Sequence, residues 1–277
     1  MRYLFNNAKL EYLGVLVNRL TAYTLVVVVL ALAVIGAAAF LGNGSKAALI
    51  AMDNVAVSPQ FLQQLVPSDS VFANVGEGSA NNMPRAINGE PLLMNGKPTL
   101  IYIGADYCPY CAAERWELVI ALMRFGNFTR LHYMTSSASD YAPSTATFTF
   151  YNSTYTSAYI NFIGIELTTN KLVNGSYPPL QSMNSLESSL MNKYDPSGSI
   201  PFLYFGGYSV QIGSNCDPTM LSGLNWSQIE AELSNPGSTV AQAIIGGANI
   251  ETAQICRMIN NTAPVCNQQY IRRIEGS

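Results

Sequence analysis

The segment KPTLIYIGADYCPYCAAERWELVIALMRFG limits the possible folds more than any other. A short run, Thr99 to Ile103, is bounded by Pro98 and Gly104, is rich in strand formers, and leads directly into Cys108-Pro109-Tyr110-Cys111. Beyond the second cysteine the period changes. From Ala112 to Phe125, Glu114, Glu117 and Arg124 share one face, while Trp116, Val119, Met123 and Leu118, Leu122, Phe125 cover the other. That pattern predicts an amphipathic helix closed by Gly126, with Cys108 at its N-terminus.

Position then dictates chemistry. Unpaired N–H groups and the partial positive charge of a helix N-terminus favour a thiolate, and thiol pKa values fall from about 8.5 to roughly 3.5–7.5 in such places. Pro109 suits the first helical turn. The expected roles are Cys108 as nucleophile and Cys111 as the thiol that resolves a mixed disulfide. Tyr107 and Tyr110 flank the pair and offer an apolar rim to a substrate. A zinc site needs four ligands, commonly from two close pairs, but Cys216, Cys256, Cys266 and the single histidine, His132, form no second pair, so no metal is expected. A permanently closed Cys108–Cys111 disulfide is the competing reading. No nicotinamide or flavin fingerprint occurs; Gly246-Gly247 is an isolated glycine pair, so no cofactor is expected.

Ahead of this region, Thr21 to Leu41 runs for 21 residues without a charge. As a helix it spans roughly 31 Å, the thickness of a bilayer core. It exceeds a signal-peptide apolar core, so an uncleaved anchor is favoured over a cleaved leader. Arg2, Lys9 and Arg19 precede it and only Lys46 follows closely, which predicts residues 1–20 in the cytoplasm, a transmembrane helix at 21–41, and the remainder outside the cell membrane. Residues 42–70 read as a stalk, with a short amphipathic segment from Ser58 to Val66, and 71–277 as the extracytoplasmic domain. Sequons begin at Asn43, Asn127, Asn152, Asn174, Asn225 and Asn260, all beyond the anchor, as glycosylation outside would require. Chance sequons in a chain rich in Asn, Ser and Thr are the alternative. Only 11% of residues are charged, the net charge is −3, and no basic run exists, which argues against nucleic acid as a partner.

Further along, GSIPFLYFGGYSVQIG contains two strand-like runs, Pro201 to Phe205 and Tyr208 to Ile212, joined by Gly206-Gly207 as a tight hairpin. Near the C-terminus, Cys256 and Cys266 are the candidates to close a small disulfide ring worth roughly 3 kcal/mol, which would leave Cys216 over; sequence alone leaves the pairing of the three open. Asp106, Glu114 and Glu117 lie near the motif; solvated surface positions are favoured for them over a proton relay. His132 is expected to be a packed strand residue.

The order strand, CPYC helix, strand near Leu131 to Met134, helix, Ile-Pro hairpin, closing helix resembles a thioredoxin fold over roughly Val71 to Asn261. In that fold a cis-proline packs against the dithiol and receives a substrate's extended backbone, a role the resemblance assigns to Ile200-Pro201. The 90 residues from Cys111 to Pro201 exceed the bare fold. An insertion is therefore expected, with TATFTFYN and YINFIGIELTT as an added hairpin followed by a helix carrying Leu186 and Leu190 on one side. More narrowly, YCPYCAAERWELVIALMRFGNF, and more weakly YMTSSASDYAP, is similar to an archaeal family catalogued as domain of unknown function 929. That resemblance implies a membrane anchor and a thioredoxin-like region in proteins of thermophilic, often acidophilic archaea. In acid a cysteine of pKa about 5 is mostly protonated, which favours a locked disulfide.

The expected fold is thus α/β and thioredoxin-like, with an inserted β-hairpin and helix, behind one transmembrane helix. The expected function is that of an anchored thiol:disulfide oxidoreductase acting on exported cysteine-containing proteins, with electrons exchanged through a membrane redox partner. The alternative is a non-catalytic glycosylated subunit of a membrane or cell-envelope complex, its CPYC pair a structural disulfide.

Overall fold

A computed structural model describes residues 52–276. The anchor expected at Thr21 to Leu41, and the sequon at Asn43, lie outside the described residues. Among the described residues, no helix is long and apolar enough to cross a membrane.

Two short helices come first, α1 (Pro59–Gln64), where the Ser58 side chain accepts a hydrogen bond from the Phe61 N–H, and α2 (Asp69–Val75). Val57, Leu62 and Leu65 are buried in the main core. The stretch expected to be a stalk up to residue 70 is therefore packed from Val57 onward, because its apolar residues recur at spacings that a helix gathers onto one face.

The central strand follows two short ones, β1 (Arg85–Ala86) and β2 (Leu93–Met94): β3 (Lys97–Gly104) extends two residues further at its start, and one at its end, than the apolar run suggested. After β3 comes α3 (Pro109–Met123). The strands β4 (Gly126–Thr129), β5 (His132–Thr135), β6 (Ala146–Thr149), β7 (Thr154–Ser157) and β8 (Asn161–Glu166) then precede α4 (Ser185–Tyr194). A hairpin of β9 (Phe202–Phe205) and β10 (Ser209–Ile212) leads to α5 (Trp226–Leu233), α6 (Thr239–Met258) and α7 (Gln269–Gly276).

The main sheet is mixed. On β3, β8 pairs in parallel and β9 antiparallel; β10 pairs with β9, and β1 with β10. Side chains alternate across it as strand geometry requires. Leu100, Tyr102, Leu203 and Phe205 face one core, shared with α3 and α6, while Ile101, Ile103, Phe202 and Tyr204 face a smaller one shared with Met191 of α4. The result is an α/β/α sandwich with β3 buried on both faces.

Several expectations require correction. The strand at Leu131 to Met134 is real as β5, but it pairs with β6 in a separate two-stranded sheet. The neighbour of β3 is β8, drawn from YINFIGIELTT, so that segment and TATFTFYN form no hairpin with each other. Tertiary pairing here overrides sequence proximity. On α4 the buried residues are Glu187 and Met191, whereas Leu186 is exposed, because the helix meets the sheet one position later than its leucines implied. Most consequential, α3 is buried around nearly its whole circumference, including Glu114 and Glu117. Sheet and α6 close on it from different sides, so the two-faced reading fails.

The Gly206-Gly207 hairpin stands as expected, with both glycines at positive φ, 55° and 98°. The Cys256–Cys266 disulfide is also present.

Candidate functional site: a cysteine pair at a helix N-terminus

Cys108 is the N-cap of α3. Its backbone is extended, Pro109 opens the helix, and its sulfur accepts a hydrogen bond from the Cys111 N–H at 3.2 Å. Sulfur thus takes the place a serine or aspartate oxygen usually fills at this position. The pair stands here as two thiols, not as the closed disulfide of the competing reading. Cys108 keeps 6% of its surface exposed and Cys111 none, so the first cysteine is the outer one.

The electrostatics divide the two sulfurs further. Hydrogen bonds from the Cys111 thiol and backbone lower the Cys108 pKa, burial opposes, and the Arg115 guanidinium adds to the lowering. Burial drives the Cys111 thiol well up, and the Cys108 sulfur beside it adds to that. One cysteine is poised to ionise while the other holds its proton.

Arg115 is a residue sequence reasoning missed. It is fully buried and forms a bidentate pair with Glu166, Nε to Oε1 at 2.9 Å and Nη2 to Oε2 at 3.0 Å. Nη2 also donates to the Ala105 carbonyl at 2.6 Å and lies 3.7 Å from Asp106 Oδ1. The signal was available: Arg115 stands four residues after Cys111, the spacing that stacks side chains on one helix face. Glu166 becomes visible only through the register, which sets it opposite Gly104 at the end of β3. Asp106, expected at the surface, is buried, and its pKa is pushed up to about 7, first by burial, then by Glu166, against the pull of Arg115.

Around the sulfur the expected substrate residues converge in part. The Ile200–Pro201 bond is cis, and the Ile200 carbonyl oxygen lies 4.0 Å from Cys108 Sγ. Tyr107 stacks on Tyr177 with ring centroids 4.2 Å apart, and its carbonyl accepts from the Ser137 N–H. Tyr110 is exposed and stacks against Tyr141, also exposed, at 6.0 Å. Asp217 accepts from the Tyr141 hydroxyl, steadying that outer aromatic pair. Cys216 is buried, and His132 is half-buried at the start of β5. Of the sequons, Asn127, Asn152, Asn174 and Asn260 are exposed and Asn225 is half-buried.

Fold and site together define a mixed α/β domain that holds an asymmetric cysteine pair at the start of its central helix, above a buried arginine. The chain belongs to the domain-of-unknown-function family DUF929, whose family model matches residues 84–257. No curated protein and no solved structure matches the chain.

Proposed function

We propose that the protein is a thioredoxin-like thiol:disulfide oxidoreductase, anchored in the membrane and facing outward, that acts on disulfides of exported proteins. The observation that carries this reading is the Cys108 sulfur, which caps α3, accepts the Cys111 N–H and is the more exposed of the two. The order β3, CPYC helix, parallel strand, α4, Ile-Pro hairpin and closing helix α6 supports the thioredoxin-like resemblance, with β8 rather than β5 as the second strand. The exposed sequons support the outward placement.

The chemistry is a two-step exchange. The Cys108 thiolate attacks one sulfur of a client disulfide; that S–S bond breaks, a client thiolate leaves, and a mixed disulfide forms. Cys111 then loses its proton and attacks the Cys108 sulfur, which releases the second client thiolate and closes Cys108–Cys111. Two electrons pass from the pair to the client. The reverse sequence oxidises a client dithiol, and a membrane redox partner restores the pair. Ile200-Pro201 and the Tyr107 and Tyr110 rim lie where a client's extended segment would rest beside the sulfur.

The low exposure of Cys108 favours one second reading, the anchored binding subunit with a structural pair. Trapping separates the two. Full-length Cys111→Ser, incubated with a model peptide disulfide, is expected to accumulate a covalent adduct at Cys108, and Cys108→Ser none. Absence of the adduct unless the protein is first unfolded would favour the binding subunit.

A further inference from the structure

The dithiol leaves a second polar cluster on α3 unexplained. Glu114 and Glu117 sit one turn apart on that helix and meet Glu251 of α6, and one carboxylate oxygen from each lies within 4.8 Å of the other two. All three residues are fully buried. Among the described residues, no ion pair involves any of them.

The donors that reach the cluster are few, and besides those of Gln211 and Asn215 they are the Ser214 hydroxyl near Glu114 and the Cys216 thiol near Glu117. Gln211 Nε2 donates to Glu114 Oε1 at 2.7 Å, the Asn215 N–H to Glu114 Oε2 at 3.3 Å, and Asn215 Nδ2 to Glu117 Oε2 at 2.8 Å. Four acceptors make no hydrogen bond of good geometry: Glu117 Oε1, both oxygens of Glu251, and Asn215 Oδ1. Asn215 is itself fully buried, so its orphan amide oxygen is an observation separate from the acids. Glu114 and Glu251 also lie within hydrogen-bonding reach of each other, which two carboxyls tolerate with either a shared proton or a cation between them.

The backbone makes room for this arrangement. A Cβ on Gly247 would lie 1.9 Å from Glu117 Oε2, and one on Gly246 would lie 2.3 Å from the Glu77 carbonyl oxygen. The glycine pair on α6 is therefore a packing device: Gly247 admits the Glu117 carboxyl, and Glu251 stands one turn further along the same helix.

We propose that Glu114, Glu117 and Glu251, with the Asn215 amide oxygen, form a site for one hard divalent cation that ties α3 to α6. Carboxylate and amide oxygens are the donors that calcium, manganese and magnesium prefer. A proton satisfies these acceptors singly, whereas one cation contacts several together. Gln211 and the Asn215 N–H and amide nitrogen orient the Glu114 and Glu117 carboxyls, and each oxygen they hold keeps a second lone pair for the ion. Because the cluster is sealed, loading accompanies folding, and bound ion adds to the stability of the folded chain. The site is independent of the redox reading, and it differs from the cysteine-histidine chemistry considered for this sequence.

The test uses the full chain in mild detergent, prepared with chelator and then refolded at pH 7 with Mn²⁺, with Ca²⁺, or with neither. After removal of free ion, about one equivalent of Mn²⁺ or Ca²⁺ per chain is expected to remain. Its melting temperature is expected to rise by about 5 °C or more over the chelated protein. Glu251→Gln keeps the side chain's shape and is expected to abolish both effects. Should that variant fail to fold, the metal content of the unaltered chain still decides. Retention of no ion, with a melting temperature indifferent to metal but rising as pH is lowered from 7, would overturn the proposal and leave shared protons as the cement.

Discussion

Glu114 and Arg115 are neighbours on one helix, both fully buried, yet they enter opposite kinds of environment. Arg115 meets Glu166 bidentately and Asp106 at longer range, so positive and negative charge stand together under the dithiol. Glu114 meets two more carboxyls and, among the described residues, no cationic side chain pairs with it. The first cluster sets opposite charges together within the chain, though Arg115 Nη1 and Asp106 Oδ1 make no hydrogen bond, and it lends part of its field to a sulfur. The second requires protons or an ion from outside. A buried charge is thus tolerable in two ways, and helix α3 uses both within one turn.

The largest effect is expected from Arg115→Met. It leaves Glu166 buried without its partner and should cost about 3–5 kcal/mol in denaturant unfolding at pH 7. Arg115→Met combined with Glu166→Met should recover most of that stability, because an apolar pair replaces an ion pair with little penalty. Cys108 should nevertheless stay less acidic in the double variant than in the parent. Restored acidity would reduce Arg115 to a structural role and erase the contrast between the clusters.

Next in size is a pH effect. Asp106 ordinarily titrates near 3.8 and here near 7, so between those values the folded state holds a proton that the unfolded state has lost. Its contribution to stability is full below about pH 4 and declines as pH rises towards 7. Asp106→Asn should remove that decline, a change in slope of at most about 1.4 kcal/mol per pH unit in the stability profile. An unchanged slope would place the titration elsewhere.

The smallest effect is expected in the acidic cluster without metal. Under chelator, Glu117→Gln should alter stability by less than about 1 kcal/mol, since the amide supplies a donor where an oxygen has none. A loss comparable to that of Arg115→Met would mean that the chain already compensates the carboxylate charge, contrary to the difference drawn here.

Legibility from sequence followed locality. The strand at Thr99 to Ile103, the helix after Cys111, the Gly206-Gly207 hairpin and the Cys256–Cys266 ring are all specified within short windows, and each is present. The proximity of Ile200 to Cys108 was also anticipated, through the thioredoxin-like resemblance. The pairing of β3 with β8 was not, since nothing in a strand names a parallel partner some sixty residues away. For the same reason Glu166 went unnoticed. Glu114 and Glu117 read as surface residues because periodicity marks faces by polarity and cannot foresee a second helix, α6, that covers this face with an acid of its own. Arg115 is legible in the sequence through its spacing of four residues from Cys111.

The claim on which the catalytic reading depends is that Cys108 ionises readily while Cys111 does not. Alkylation of the reduced full-length protein, followed across pH with the modified site identified by mass spectrometry, measures this directly. Modification confined to Cys108, with an apparent pKa below the 8.5 or so of a free cysteine, is the expected result. Equal modification of both cysteines, or of neither until the chain unfolds, would contradict it.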